Sequence, residues 1–343
     1  MKAFWDPIQL SHEPAFFLQR GVVKRNFEVP ARAIALLEAC TAMGLEITPP
    51  PPADRAALLQ VHSADYLDFL RDGPALWNAL PEHGAELVPN IHPSPEMLAN
   101  GARRSPGVIG QLGWYTADTS CPIAAATWPA AMAAASGAIA AADEAAQGRH
   151  AYALARPPGH HAYAARAGGH CYLNNAAIAA ERLRLSGAGR VAILDIDSHH
   201  GNGTQGIFWE RDDVVTVSVH GDPNGYYPWY VGHAGERGHG AGAGCNLNLP
   251  LRQGTGDAGW LAAIKAGLSL IEAIGAEAVV VSLGFDASEY EPLGYLSVTE
   301  DGFARAGRLV QEADLSCAIV QEGGYNVDVI GKLLIRFLDG LRS

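Results

Sequence analysis

Residues 190–205 read RVAILDIDSHHGNGTQ, and the fold turns on how this stretch is read. RVAIL is a short apolar run of the length and composition of a buried strand, and it stops abruptly at Asp195. Asp197, His199 and His200 then follow at once and lead into a glycine-rich turn. Two aspartates and two adjacent histidines are costly to bury unless they are paired or hold a metal. A strand whose carboxyl end collects such groups is the mark of an open α/β sheet, in which ligands bind beyond the strand ends.

The same pattern recurs on either side of this stretch. AYALA (151–155), VVTVSV (214–219), AVVVSL (278–283) and CAIV (317–320) also read as buried strands. Between them NNAAIAAERLRLSG, GWLAAIKAGLSLIEAIG and EDGFARAGRLVQEA carry apolar residues at helical spacing, and the first two end at glycine. Strand and helix in alternation predict an α/β fold, a mainly parallel sheet with helices on both faces. Residues 1–150 carry fewer strand signals and more helix. No linker and no repeat interrupts the chain, so a single catalytic domain over 1–343 is expected. Residues 80–107, rich in proline, glycine and charge, predict a long inserted loop serving as a rim or subunit contact.

Composition narrows the function classes. A formal net charge of −12 argues against a nucleic-acid surface. Five scattered cysteines without a CxxC pair predict a reduced compartment, and the charged, proline-containing N-terminus lacks a secretory pattern. A cytoplasmic location is expected. The alanine-rich segment 124–146 contains Pro129 and ends in acids, so it predicts a closely packed internal helix rather than a membrane span.

Four polar clusters follow predicted strands: His160 and His161 in RPPGHHA, the DIDSHH cluster, Asp286 in SLGFDAS, and Tyr325 in QEGGYN. Singly each is weak, since HH pairs are commonly structural, DxD can cap a helix and GGY is an ordinary turn. Together, each behind its own strand, they point to a metal hydrolase. Asp197 and His199 are two apart and project to one side of an extended chain. With Asp286 they supply two carboxylates and an imidazole, a donor set that suits catalytic zinc and would also accept iron(II) or cobalt(II). His160 and His161 can act as base, and the Tyr325 phenol as donor to a developing oxyanion. Asp195 and Asn202 are the natural partners for the far nitrogens of these histidines. Pairing with Asn202 would suit His161 for proton transfer, while pairing with Asp195 would keep His160 electrostatic. His12, His62, His92, His220, His233 and His239 are read as structural or surface residues.

These segments, in this order, resemble the signatures of the histone deacetylase family. The likeness also covers VHSADYL (61–67), TWPAAMAAASGAIAAAD (127–143) and GHCYLNNAAIAA (169–180), and GQLGWYTADTSCPI (110–123) is most similar to the bacterial acetylpolyamine amidohydrolases. The resemblance implies an arginase/deacetylase-like fold and hydrolysis of an acetyl amide to acetate and an amine. It implies zinc on Asp197, His199 and Asp286, and a structural potassium ion on Asp195, Asp197, His199, Ser218 and Val219. It also implies a substrate channel lined by His170, Tyr227 and Leu293. His170 stands where the family usually has an aromatic wall residue, removing a cation–π face. Ser198 replaces an apolar or aromatic residue. Where the polyamine hydrolases offer an acid to a distant ammonium, this chain reads TADTSCPI, with Asp118 nearby. A small acetylated amine as substrate and a homodimer formed through 80–107 are therefore expected. The rival readings are an acetyl-lysine deacetylase acting on proteins or peptides, an arginase-like ureohydrolase and a non-catalytic acetyl-amide binder.

Overall fold

The apolar runs become the middle of one eight-stranded sheet in a computed structural model that describes residues 1–343. In chain order the strands are β1 (Lys2–Phe4), β2 (Phe16–Gln19), β3 (Val22–Arg25), β4 (Glu46–Thr48), β5 (Ala151–Ala153), β6 (Val191–Asp195), β7 (Val214–Gly221), β8 (Asn246–Leu251), β9 (Ala278–Leu283) and β10 (Cys317–Gln321). The helices are α1 (Pro30–Ala42), α2 (Arg55–Leu58), α3 (Ala64–Asn78), α4 (Pro95–Ala99), α5 (Val108–Tyr115), α6 (Thr127–Ala145), α7 (Asn175–Leu185), α8 (Asn202–Phe208), α9 (Asp257–Ala273), α10 (Glu300–Glu312) and α11 (Ile330–Arg342).

The sheet order is β4-β1-β5-β10-β9-β6-β7-β8, with every pairing parallel, while β2 and β3 form a separate antiparallel hairpin. Alternate side chains enter opposite cores. Val191, Ile193 and Val280 pack on one face with α3, α5, α6 and α7; Ala192, Leu194, Val279 and Val281 pack on the other with α1, α9, α10 and α11. Burial on both faces is why these strands read as unbroken apolar runs rather than alternating ones. The alanine-rich segment forms α6, buried along most of its length, and its small side chains let it lie close to β1 and β5. No helix is long and apolar enough to cross a membrane.

The three outer strands were not expected from the sequence. β1 and β4 are three residues each, too short to show a period. In β8 the usual alternation is inverted, because Asn246 and Asn248 are the buried residues while Leu247 and Leu249 are partly exposed. Both asparagine amides donate to Gln205 Oε1, which fixes the start of α8 behind the site. Segment 80–107 contains α4 and is pinned to the body where Leu87 pairs with Ile123, leaving Ile91, Met97 and Leu98 exposed.

One buried histidine outside the site braces it. Asn174 N–H donates to His62 Nε2 at 2.9 Å, so the His62 proton sits on Nδ1, which faces the Ala164 carbonyl at 3.3 Å. Asn174 caps α7 and its side-chain amide holds the Ala162 carbonyl, next to the tandem histidines. Burial pushes the His62 pKa down to about 4 from 6.5. Between those values the unfolded chain takes up a proton that the folded chain refuses, so this contribution to stability is present above pH 6.5 and lost as pH falls towards 4. Acid unfolding of His62→Gln is expected to show a shallower pH dependence across that window, by roughly 3 kcal/mol in all. Denaturant melts at a series of pH values check it.

Candidate active site

The loops that leave β5, β6, β9 and β10 meet in one buried pocket. Asp197, His199 and Asp286 lie there with their ligand atoms all within 4.8 Å of one another. His199 Nδ1 is 2.8 Å from Asp286 Oδ2 and 3.3 Å from Asp197 Oδ1, and both aspartates are inaccessible to solvent. Backbone amides hold the carboxylates in place. Ser198 N–H donates to Asp286 Oδ1 at 2.7 Å, and Gly323 N–H donates to Asp197 Oδ2 at 2.8 Å. Gly323 is required by this approach, since a Cβ there would lie 2.5 Å from Asp286 Oδ2 and 2.7 Å from Asp197 Oδ2. Tyr226 stacks on the His199 ring at 4.4 Å and shares a hydrogen bond with Ser198 Oγ.

Two buried carboxylates against one imidazole form a pocket that favours positive charge. Burial opposes charge on His199, but Asp286 and Asp197 outweigh it and raise its pKa to about 9. Oxygen and nitrogen donors, converging and shielded from water, fit a divalent metal, and their mixture suits zinc.

The tandem histidines stand beside this set with their rings 4.0 Å apart. His160 Nδ1 donates to Asp195 Oδ2 at 2.9 Å, and His161 Nδ1 donates to Asn202 Oδ1 at 2.6 Å. Asn202 in turn donates to the Tyr163 hydroxyl, which fixes its amide orientation. Each imidazole therefore turns its Nε2 away from its partner. Burial works against charge on His160, but Asp195 and Asp197 outweigh it and carry its pKa well up. On His161 burial acts together with the neighbouring His160 and His199, and its pKa falls well below the usual value. Glu322 Oε2 receives the N–H groups of Gly159 and His160 at 2.7 and 3.1 Å, tying the histidine loop to the loop after β10.

Tyr325 completes the pocket. Its ring lies 5.8 Å from His170, with the Arg32 guanidinium 4.7 Å from its centroid on α1. Burial raises the Tyr325 pKa well above 10, so the phenol keeps its proton and can donate. Asp195 and Ser218 are directly paired across β6 and β7, with Val219 next along the strand. A small cavity beside them is lined by Asp195, Thr216, Ser218 and Asn246.

Of the three residues expected to line a channel, Tyr227 and His170 lie against His161 and Tyr325, and Leu293 connects to the site through Tyr226. Tyr227 meets His161 edge-on at 4.9 Å, and the Leu293 carbonyl accepts the Tyr226 hydroxyl at 3.0 Å. His170 sits in the left-handed region at φ +68° with Phe17, from β2, against its ring at 5.7 Å. A non-glycine residue in that conformation is held there by its surroundings. Asp118 Oδ2 accepts the Tyr227 hydroxyl at 2.6 Å, and its carboxylate also receives Gly169 N–H. The Asp118 carboxylate is thus already engaged by Tyr227 and the Gly169 amide.

Several supporting residues gave no signal in the sequence. Arg32 donates to the carbonyls of Glu322 and Gly324 and pairs with Glu28, which also binds Arg156. Arg32 lies on α1 and Glu28 in the segment just before it, both remote from every motif, and tertiary packing brings them to Arg156 at the head of RPPGHHA. His12, His62 and His220 are buried and bonded within the scaffold rather than in the pocket.

A parallel sheet covered on both faces, gathering a buried carboxylate–imidazole–carboxylate set beside two partnered histidines, defines a metal-dependent hydrolase. Residues 26–341 match the model of the histone deacetylase domain, and the chain belongs to the histone deacetylase family as one of its amidohydrolases. It is 42% identical to acetylpolyamine amidohydrolase 1 of Pseudomonas aeruginosa over 322 residues, covering 93% of this chain and 92% of that one. It is 40% identical to the acetylpolyamine amidohydrolase of Mycoplana ramosa, covering 94% of each. The crystal structure of the acetylpolyamine aminohydrolase from Burkholderia pseudomallei superposes with a TM-score of 0.94 at 40% identity, covering 100% of this chain and 99% of the other.

Proposed function

We propose that this protein hydrolyses the acetyl amide of small acetylated amines, with acetylpolyamines such as acetylputrescine and acetylcadaverine as substrates, to acetate and the free amine. One observation carries the chemistry: the His161–Asn202 pair faces the buried Asp197, His199 and Asp286 set. Likeness over the full length to several acetylpolyamine amidohydrolases supports the choice of substrate.

Asp197, His199 and Asp286 would hold the divalent metal, zinc in this reading. When bound it supplies a Lewis acid that polarises the amide carbonyl and makes water more acidic. The Asn202 carbonyl holds the His161 proton on Nδ1 and leaves the Nε2 lone pair free, so His161 takes the proton as water attacks. Asn202 is neutral and does not trap the resulting imidazolium, which then gives its proton to the leaving nitrogen. His160, bound to an anionic partner, keeps its charge and stabilises the developing negative charge. Tyr325 donates its hydroxyl proton in a hydrogen bond to the oxyanion. Tyr325→Phe is expected to retain metal and fold while turnover falls a hundredfold or more, about 3 kcal/mol. Metal content and a thermal melt beside the rate separate this from misfolding.

A potassium ion would sit on Asp195, Asp197, His199, Ser218 and Val219, largely through backbone oxygens; of these, Asp195 and Ser218 pair across β6 and β7 and line one small cavity. His170, Tyr227 and Leu293 would line a channel narrow enough for a slender alkyl amine. Segment 80–107, with Ile91, Met97 and Leu98 exposed, is the proposed contact between two copies.

The direct test of the metal is acetate release from acetylputrescine by protein stripped with a chelator and then reloaded. Loss of activity on stripping, with recovery on zinc, iron(II) or cobalt(II), is the expected result. Full activity in the stripped protein would overturn the proposal.

A further inference from the structure

The loop that carries Tyr325 has little of its own to fix it. Gly323 and Gly324 precede the tyrosine, and Gly324 sits at φ +106°, a conformation open to glycine and adverse to other residues. Two adjacent glycines leave the following side chain free to swing unless outside contacts hold it. Gly323 N–H is held by Asp197, and Arg32 grips the carbonyls of Glu322 and Gly324. Arg32 also lays its guanidinium 4.7 Å from the Tyr325 ring centroid, which leaves the tyrosine's backbone to be held.

Glu291 is what grips the Tyr325 backbone. Both of its carboxylate oxygens receive the Tyr325 N–H, at 3.0 and 3.1 Å. Beside this contact Asn326 donates to the Tyr290 carbonyl at 2.7 Å, so two successive residues of one loop bind two of the other. Glu291 is 9% exposed, and no lysine, arginine or histidine lies within ion-pair distance of it. Burial pushes the Glu291 pKa up to about 8, and a carboxyl group at that depth with no cation in ion-pair contact relies on hydrogen-bond donors, which the Tyr325 loop provides. Glu291 is itself rigidly placed, since its N–H donates to Ser288 and its carbonyl accepts Gly294 N–H at 2.9 Å. It belongs to the same loop as Asp286 and Leu293.

We infer that Glu291 is a positioning residue that sets the Tyr325 hydroxyl against the Asp286 loop. This rests on the reading of Tyr325 as the oxyanion donor. Displacing a donor by about 1 Å can cost on the order of a hundredfold in rate. The alternative is that Glu291 only supports the fold.

A double-substitution cycle tests the inference, with metal content and thermal unfolding measured on each variant. Glu291→Ala is expected to lower kcat by on the order of tenfold to a hundredfold with KM little changed. Glu291→Gln keeps one carbonyl acceptor and is expected to lose less. In the Tyr325→Phe background, Glu291→Ala should cost almost nothing further, because the hydroxyl it positions is gone. A crystal structure of Glu291→Ala should show the Tyr325 ring displaced with Asp286 unmoved. An equal fold-loss in both backgrounds, or an unmoved ring, would overturn the inference while leaving the role of Tyr325 intact. Near-normal turnover of Tyr325→Phe alone would instead sink the underlying reading.

Discussion

Alanine at position 286 is expected to leave a folded protein that no longer retains its metal and releases acetate only at background rate. Asp286 is one of three ligand-bearing side chains, and its removal leaves Asp197 and His199, too few to close a stable site. It also strips Ser198 N–H of its acceptor, a buried loss of about 1–3 kcal/mol that should lower the melting temperature modestly. Asp286→Asn separates the two effects. The amide oxygen can still accept from Ser198, so the melting temperature should recover, while metal content stays low because the anionic donor is gone. Metal analysis of the purified variants, alongside melts, checks both parts. Stoichiometric metal in Asp286→Ala would mean that the ion lies elsewhere.

His161→Ala is expected to give the opposite pairing, with metal retained and turnover lost. His161 makes no ligand contact; its Nδ1 is occupied by Asn202, and its ring lies 5.9 Å from that of His199. Removing a positioned base and acid costs on the order of 10²–10⁴ in rate. The loss should appear in kcat, with KM for a small acetylated amine changed far less. His160→Ala should cost less than His161→Ala, since its aspartate partner assigns it to electrostatic support rather than proton transfer. If His160→Ala proves the more damaging, the assignment of the two histidines is reversed.

What the sequence made legible follows a physical division. The β6, β9 and β10 runs are buried on both faces, so they appear as short, largely apolar stretches without alternation, and the polar residues just past them are conspicuous. That is why the set Asp197, His199 and Asp286, the tandem histidines and Tyr325 could be singled out before any geometry. The pairing of His161 with Asn202, 41 positions away, was accessible too, because an imidazole needs a partner and Asn202 follows the same strand end as the ligand cluster. Edge strands were not legible. β1 and β4 are short, and β8 buries its asparagines rather than its leucines. Residues that act through tertiary convergence were equally hidden: Arg32 lies on α1, Phe17 on a hairpin outside the sheet, and Glu291 in a turn whose partner is a backbone amide. None belongs to a pattern along the chain. Asp118 was visible as an acid near the channel, but not its bond to the Tyr227 hydroxyl.

Deacetylation of a small amine is the central reaction proposed for this site. The measurement that tests it most directly is kcat/KM of the zinc-loaded protein for N-acetylputrescine, N-acetylcadaverine, N8-acetylspermidine and an acetyl-lysine peptide, side by side. A clear preference for the free acetylated amines is the predicted result. Preference for the peptide would contradict it, leaving the hydrolytic site in place and shifting attention to His170 and segment 80–107 as the determinants of what the channel admits.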